Sequence, residues 1–161
     1  VVEEGAAGVS AARLAREAPA PLPVVTRNFR TRAAILAALR TDLVDEALEQ
    51  IEADMPGLPP RHPLALETFC RLWTAYWLDR PDLFRAAFLT GDGGLAGAPL
   101  MDRLRPAFGT QLAADDVDPR CELLACALHG LIQSRLDGRP GSADPGDLAA
   151  LASTALRGAV A

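Results

Sequence analysis

SAARLAREAPAPLPVVTRNFRTRAAILAAL, residues Ser10 to Leu39, is the stretch that decides the fold. Ser10 is a good N-cap, because its hydroxyl accepts from the free backbone N–H groups of a first helical turn. The helix it opens is expected to run to about Ala18, with Ala11, Leu14 and Ala15 on its inner face. Pro19, Pro21 and Pro23 follow at alternate positions, and each pushes the residue before it away from helical dihedrals. A second short helix is therefore expected from about Pro23, a residue tolerated in a first turn, through Val24, Val25, Thr26, Arg27, Asn28 and Phe29. Thr31 then caps a long helix carrying Ala34, Ile35, Ala38, Leu39, Leu43, Ala47 and Ile51 at helical spacing. Two short helices across a tight break, followed directly by a long one, trace a helix-turn-helix outline.

The rest of the chain is consistent with an all-α protein. At 161 residues it can bury roughly two-thirds of its unfolded surface, enough for a substantial core. Ala, Leu and Arg dominate, β-branched residues are scarce, and no segment alternates apolar with polar residues for long. The apolar runs fall well short of the ~20 residues of a membrane span, and no secretory signal precedes the first helix. Cys70, Cys121 and Cys126 have no disulfide-framework pattern, and their odd number suits a reducing compartment. These features point to a soluble cytoplasmic protein without cofactor or metal.

The net charge of −5 conceals an asymmetry. Val1 to Arg40 holds six arginines against three glutamates, a net of +3, which leaves −8 for the remainder. An acidic body with a basic head suits a protein whose head alone meets a polyanion.

In chain order, VVEEG reads as the tail of a helix ended by Gly5, so most of a first helix and an initiator Met are expected ahead of Val1. The break MPGLPPRHP, Met55 to Pro63, ends the long helix, and Pro63 opens PLALETFCRLWTAYWL, whose Phe69, Trp73, Tyr76 and Trp77 form the richest aromatic cluster. Pro81 and Asp82 restart a short helix through Phe84 and Phe88. The loop TGDGGLAGAP contains neither GxGxxG nor a lysine-bearing phosphate loop, and the chain has no Lys at all. A helix from about Pro99 to Ala113 carries Met101, Leu104 and Phe108. Asp118 and Pro119 pair an N-cap with a first-turn proline and are expected to open RCELLACALHGLIQSRL. Asp144, Pro145 and Asp147 repeat that signal for a last helix through Leu148, Leu151 and Leu156. About nine helices are expected, counting the incomplete first one.

The order of elements and the run from Ser10 to Leu39 resemble the tetracycline-repressor (TetR) family of dimeric transcriptional regulators. Ser10 matches the capping residue of that pattern, Leu14 and Ala15 its Ile-Ala pair, and Ala18 its alanine. Phe29 matches its phenylalanine, Thr31 its capping hydroxyl and Arg32 its basic residue, without gaps. LDRPDLFRAAF and ALHGLIQSRLDG resemble the family's C-terminal domains. The chain departs from the pattern at Pro19, in place of the turn glycine, at Pro21 and Pro23, and at Thr26 and Asn28, in place of two aromatics.

The resemblance implies a DNA-binding domain over 1–40, with an incomplete first helix, and a ligand-binding and dimerisation domain over 41–161. It implies a ligand-responsive regulator, a repressor, that leaves double-stranded operator DNA when a small apolar or aromatic effector binds. The residues agree with this physically. Thr26, Arg27 and Asn28 are suited to base edges in the major groove, with Phe29 anchoring the back of their helix. Arg30 and Arg32, the Thr31 hydroxyl and Ser10 with their helix N-termini are suited to phosphates. Phe69, Trp73, Tyr76, Trp77, Phe84, Met101 and Phe108 are candidates to line an effector pocket, with Cys126 and His129 as soft and polar contacts. Leu123, Leu124, Ala127, Leu128, Leu131 and Ile132 surround one helix too fully for a single core face, and Leu148, Leu151, Ala152 and Leu156 offer a second stripe. A homodimer through the helices at about 119–137 and 145–160 would bury both.

Two other readings compete. A ligand- or partner-binding dimer of this fold would keep the body while its head, degenerate at the prolines, no longer reads DNA. An enzyme or metal site would draw on Cys121, Cys126 and His129, but His62 is the only further histidine and it lies in the distant proline-rich break. Catalysis is not expected.

Overall fold

The computed structural model describes residues 9–18, 20–55, 57–59, 62–88, 98–108 and 114–138, and every regular element among them is an α-helix. They are α1 (Ala11–Glu17), α2 (Leu22–Asn28), α3 (Arg32–Asp54), α4 (Pro63–Leu78), α5 (Pro81–Phe88), α6 (Ala98–Phe108) and α7 (Ala114–Leu136). Seven of the nine expected helices are thus present; the incomplete first helix and the last one, at about 145–160, lie outside the described residues.

Local chemistry sets the starts of α1, α3 and α4. The Ser10 hydroxyl accepts from Arg13 N–H at 3.2 Å, and the Thr31 hydroxyl from Ala34 N–H at 3.1 Å. His62 caps α4, its Nδ1 accepting from Leu64 N–H at 3.2 Å, with Pro63 in the first turn. α2 begins at Leu22, one residue before the expected Pro23, and no side chain caps it. At the far end of α7, Gly138 takes φ +66° and donates to Arg135 O, the left-handed closure that favours glycine.

The start of α7 corrects the reading of Asp118 and Pro119. The helix opens five residues earlier, at Ala114, so Pro119 stands inside it and removes one i→i−4 bond. The compensation is tertiary. Val117 is buried one turn ahead of the wholly buried Cys121, so the extra turn extends the core face of the helix.

The core is one cluster shared by α3 to α7. Leu43, Val44, Ala47, Leu48 and Ile51 recur at three- and four-residue spacing along the second half of α3. They meet Cys70, Trp73 and Trp77 of α4, Phe84 and Ala87 of α5, Leu100 and Leu104 of α6, and Leu124, Leu128 and Ile132 of α7. The first half of α3 extends beyond this cluster toward α1 and α2, which pack on each other. α3 therefore runs unbroken across residue 40, where the sequence suggested a domain boundary.

Candidate functional site

The DNA-facing candidates all lie at one end of the molecule. On α2 only Val25 is buried, at 4 % exposure, and this roots the helix while Thr26, Arg27 and Asn28 remain exposed. The Thr26 hydroxyl donates back to Leu22 O at 3.0 Å and Pro23 O at 3.2 Å, which leaves its lone pairs for a donor. Arg30 and Arg32 are exposed on either side of the Thr31 cap, where the first N–H groups of α3 are directed outward. Ser10 is exposed at the start of α1. Phe29 is half-buried at the C-cap of α2, so it shares with Val25 the anchoring role assigned to it alone. Arg13 lies 2.6 Å from Glu17 and holds that carboxyl below its ordinary range.

Beneath α2 lies a cavity of about 340 Å³ between α1, α2 and the first half of α3. Val9, Leu14, Val25, Phe29, Ile35 and Leu39 form its apolar walls, with Asn28 and Asp42 among its polar members. The sequence reading assigned Leu14, Phe29, Ile35 and Leu39 to packing and gave no sign of a hollow there.

The aromatic candidates divide. Trp73, Trp77 and Phe84 are wholly buried, and Trp77 packs edge-on to Trp73 at 5.6 Å and to Phe84 at 5.9 Å. Phe69, half-buried, stacks on Trp73 at 6.0 Å. His129 enters this group from α7, with ring centroids 6.5 Å from Trp73, 5.8 Å from Phe84 and 4.2 Å from Phe88. Phe88 is the member sequence reasoning missed, although its spacing of four from Phe84 places both on one face of α5. Tyr76 stands apart, against Trp77 and under the Arg80 guanidinium at 4.1 Å, and burial pushes its phenol up. Met101 is buried in the core from α6, and the Phe108 side chain lies outside the described residues.

His129 Nδ1 lies 2.7 Å from Ala125 O. A carbonyl only accepts, so Nδ1 carries the proton and Nε2 presents a lone pair. Burial is the main cause holding this imidazole below its ordinary pKa, so the neutral ring is favoured.

Cys126 does not belong to this group. It is exposed on the far side of α7, which removes it from the expected pocket. Cys70 and Cys121 are buried, and burial pushes the Cys70 thiol up to about 12. Among the described residues no group of three His, Cys, Asp or Glu is placed to hold a metal ion.

The face of α7 that carries Cys126 is apolar and open. Leu123 is 59 % exposed, Ala127 and Gly130 are exposed and Leu131 is half-buried, whereas Leu124, Leu128 and Ile132 point into the core. The second expected dimer segment, 145–160, lies outside the described residues. No helix among the described residues is long and apolar enough to cross a membrane.

No protein-family model, curated protein or solved structure matches this chain.

Proposed function

We propose that this chain is a ligand-responsive DNA-binding regulator of the tetracycline-repressor type, acting as a repressor on double-stranded operator DNA. The observation that carries the reading is the exposed Thr26–Arg27–Asn28 face of α2 beside Arg30 and Arg32 at the capped start of α3. From Ala18 to Thr41 the chain holds four arginines and no carboxylate, so this end of an acidic protein suits a phosphate backbone. Thr26, Arg27 and Asn28 read base edges. Arg30, Thr31, Arg32 and Ser10 hold phosphates and set the register.

The effector site in this reading is the aromatic group around His129. A physical connection to the head supports it. Phe88 ends α5 against His129, and Arg40 Nε donates at 2.7 Å to the carbonyl of the adjacent Ala87. Arg40 belongs to α3, whose Ile35 and Leu39 line the cavity beneath α2. A guest that moves Phe88 thereby moves the helix that carries the head. The homodimer forms through the open face of α7 together with the segment 145–160.

A second reading keeps the dimer and the ligand but gives the head a protein partner. Leu22 and Val24, at 45 % and 37 % exposure on the uncapped α2, favour it. A gel shift with DNA from upstream of the protein's own gene, run at two salt concentrations, separates the two. A specific complex is expected. Arg32→Ala weakens binding to all sequences alike and lowers the salt slope by about 1. Asn28→Ala costs about 1–3 kcal/mol at one base position only. Absence of any specific complex transfers the reading to the partner-binding dimer.

A further inference from the structure

The cavity beneath α2 has no task in the reading of bases and phosphates. At about 340 Å³ it falls at the low end of small-molecule sites, which span about 300–1,000 Å³, and it suits a body of one or two flat rings. Three helices build its walls, with Leu14 from α1, Val25 and Phe29 from α2, and Ile35, Ala38 and Leu39 from α3. Leu14, Phe29, Ala38 and Leu39 are only half-buried, so apolar surface is left there for a guest to cover.

The charged groups on these walls select the guest. Arg13, Glu17 and Asp42 line the cavity, and Ser10 and Asn28, its other polar members, are neutral. Arg13 and Glu17 neutralise each other at 2.6 Å, whereas the Asp42 carboxylate has no ion pair or hydrogen bond among the described residues. Asp42 follows Ile35, Ala38 and Leu39 at the three- and four-residue spacing of one helix face, so a negative charge closes the apolar stripe of α3. None of Arg16, Arg27, Arg30, Arg32 and Arg40 lines the cavity, so no further arginine of the head offsets that charge at the wall. An anion would be repelled by Asp42 and find Arg13 already engaged. A cation finds a carboxylate still to be paired.

We infer that the cavity beneath α2 is a binding site for a small hydrophobic cation, a flat ring body bearing one ammonium, with its rings against Val25, Phe29 and Ile35 and its charge toward Asp42. The site shares no lining residue with the aromatic group around His129, and it does not depend on the head reading DNA. A guest there braces α2 from its inner side. The effect on order is direct, because α1 and α2, at seven residues each, are too short to hold helical form alone.

The test titrates the full chain by calorimetry with naphthylmethylamine, naphthylmethanol and naphthoate, probes of like shape and different charge. The amine is expected to bind saturably and about 2- to 5-fold more tightly than the alcohol at low salt, with naphthoate weakest. That margin shrinks as salt is added. Amide exchange should slow with the amine in α1, α2 and the first half of α3, and stay as it was in α4 and α7. Asp42→Asn, at an exposed position, is expected to erase the preference for the amine and leave the affinity for the alcohol unchanged. Ala38→Leu fills the hollow and should weaken amine and alcohol alike by roughly 10-fold or more. Should Ala38→Leu overpack the head and unfold it, Asp42→Asn alone decides. No saturable amine binding, naphthoate binding as tightly as the amine, a preference that survives Asp42→Asn, or protection centred on α4 and α7 overturns the inference. A dimer of the free chain that Ala38→Leu dissociates assigns the hollow to a second copy and overturns it too. A gel shift without any specific complex sinks the DNA-binding reading and leaves this site standing, since none of its readouts uses DNA.

Discussion

The head and the body of this molecule are built from similar helices but held together on different scales. Among the described residues the body packs twenty buried ones into one cluster, including Trp73, Trp77 and Phe84 with essentially no exposure. The head, made by α1, α2 and the first half of α3, buries Val9, Val25 and Ile35 around a cavity. α1 and α2 are seven residues each, too short to be helical in isolation. The head therefore owes its shape to two capping hydroxyls, three apolar side chains and a long helix rooted elsewhere. Opening of the head without opening of the body follows from that difference.

The comparison is tested first where the effect is largest. Trp77→Ala is expected to remove about 3–5 kcal/mol from global unfolding in denaturant, because it empties the centre of the cluster. A loss of under about 1 kcal/mol would mean that the body is not the cooperative unit described. Val25→Ala deletes two methyl-sized groups from the head, worth about 1.5 kcal/mol. Its effect should be faster amide exchange confined to α1, α2 and the start of α3, with the global midpoint unchanged. An equal shift in α4 and α7 would merge the two regions. Thr31→Ala removes a cap worth about 1 kcal/mol and should speed exchange in the first turn of α3 alone.

The smallest effect is a pH dependence confined to the body. Burial keeps the His129 imidazole below its ordinary value of 6.5. The unfolded chain then binds a proton over a range where the folded one does not. Stability is full above that value and is lost as the pH falls from it toward the folded pKa. His129→Phe should flatten the part of the fall in stability just below pH 6.5 that exceeds the carboxylate contribution. Identical profiles for both chains, followed by thermal midpoint, would remove His129 from the account.

What was legible in the sequence was local. Ser10 and Thr31 cap as their side chains dictate, Pro63 stands in a first turn, and Ile35, Leu43, Ala47 and Ile51 fall on one face because helical geometry requires it. The readings that failed depended on how helices meet. The Asp118–Pro119 signal gave way to the burial of Val117, a contact made by tertiary packing. Cys126 and His129 were expected to line one pocket, yet three residues leave them about 60° apart, enough for one ring to enter the core and one thiol to face outward. Phe88 gained its place against His129 from the docking of α5 on α7, and the cavity beneath α2 is a property of three helices together. His62, the only other imidazole in the chain, turned out to be a helix cap.

That α3 runs unbroken from Arg32 to Asp54 also makes its length a source of angular information. One residue inserted at the exposed Thr41 would turn everything before it by about 100° and displace it by about 1.5 Å relative to the buried stripe that starts at Leu43. Four inserted residues would return it to within about 40° of its present bearing, displaced by about 6 Å. The spacing between Ile35 and Leu43 therefore fixes the compass direction in which Thr26, Arg27 and Asn28 face, and in a symmetric pair of chains it would fix the distance and twist between two such faces.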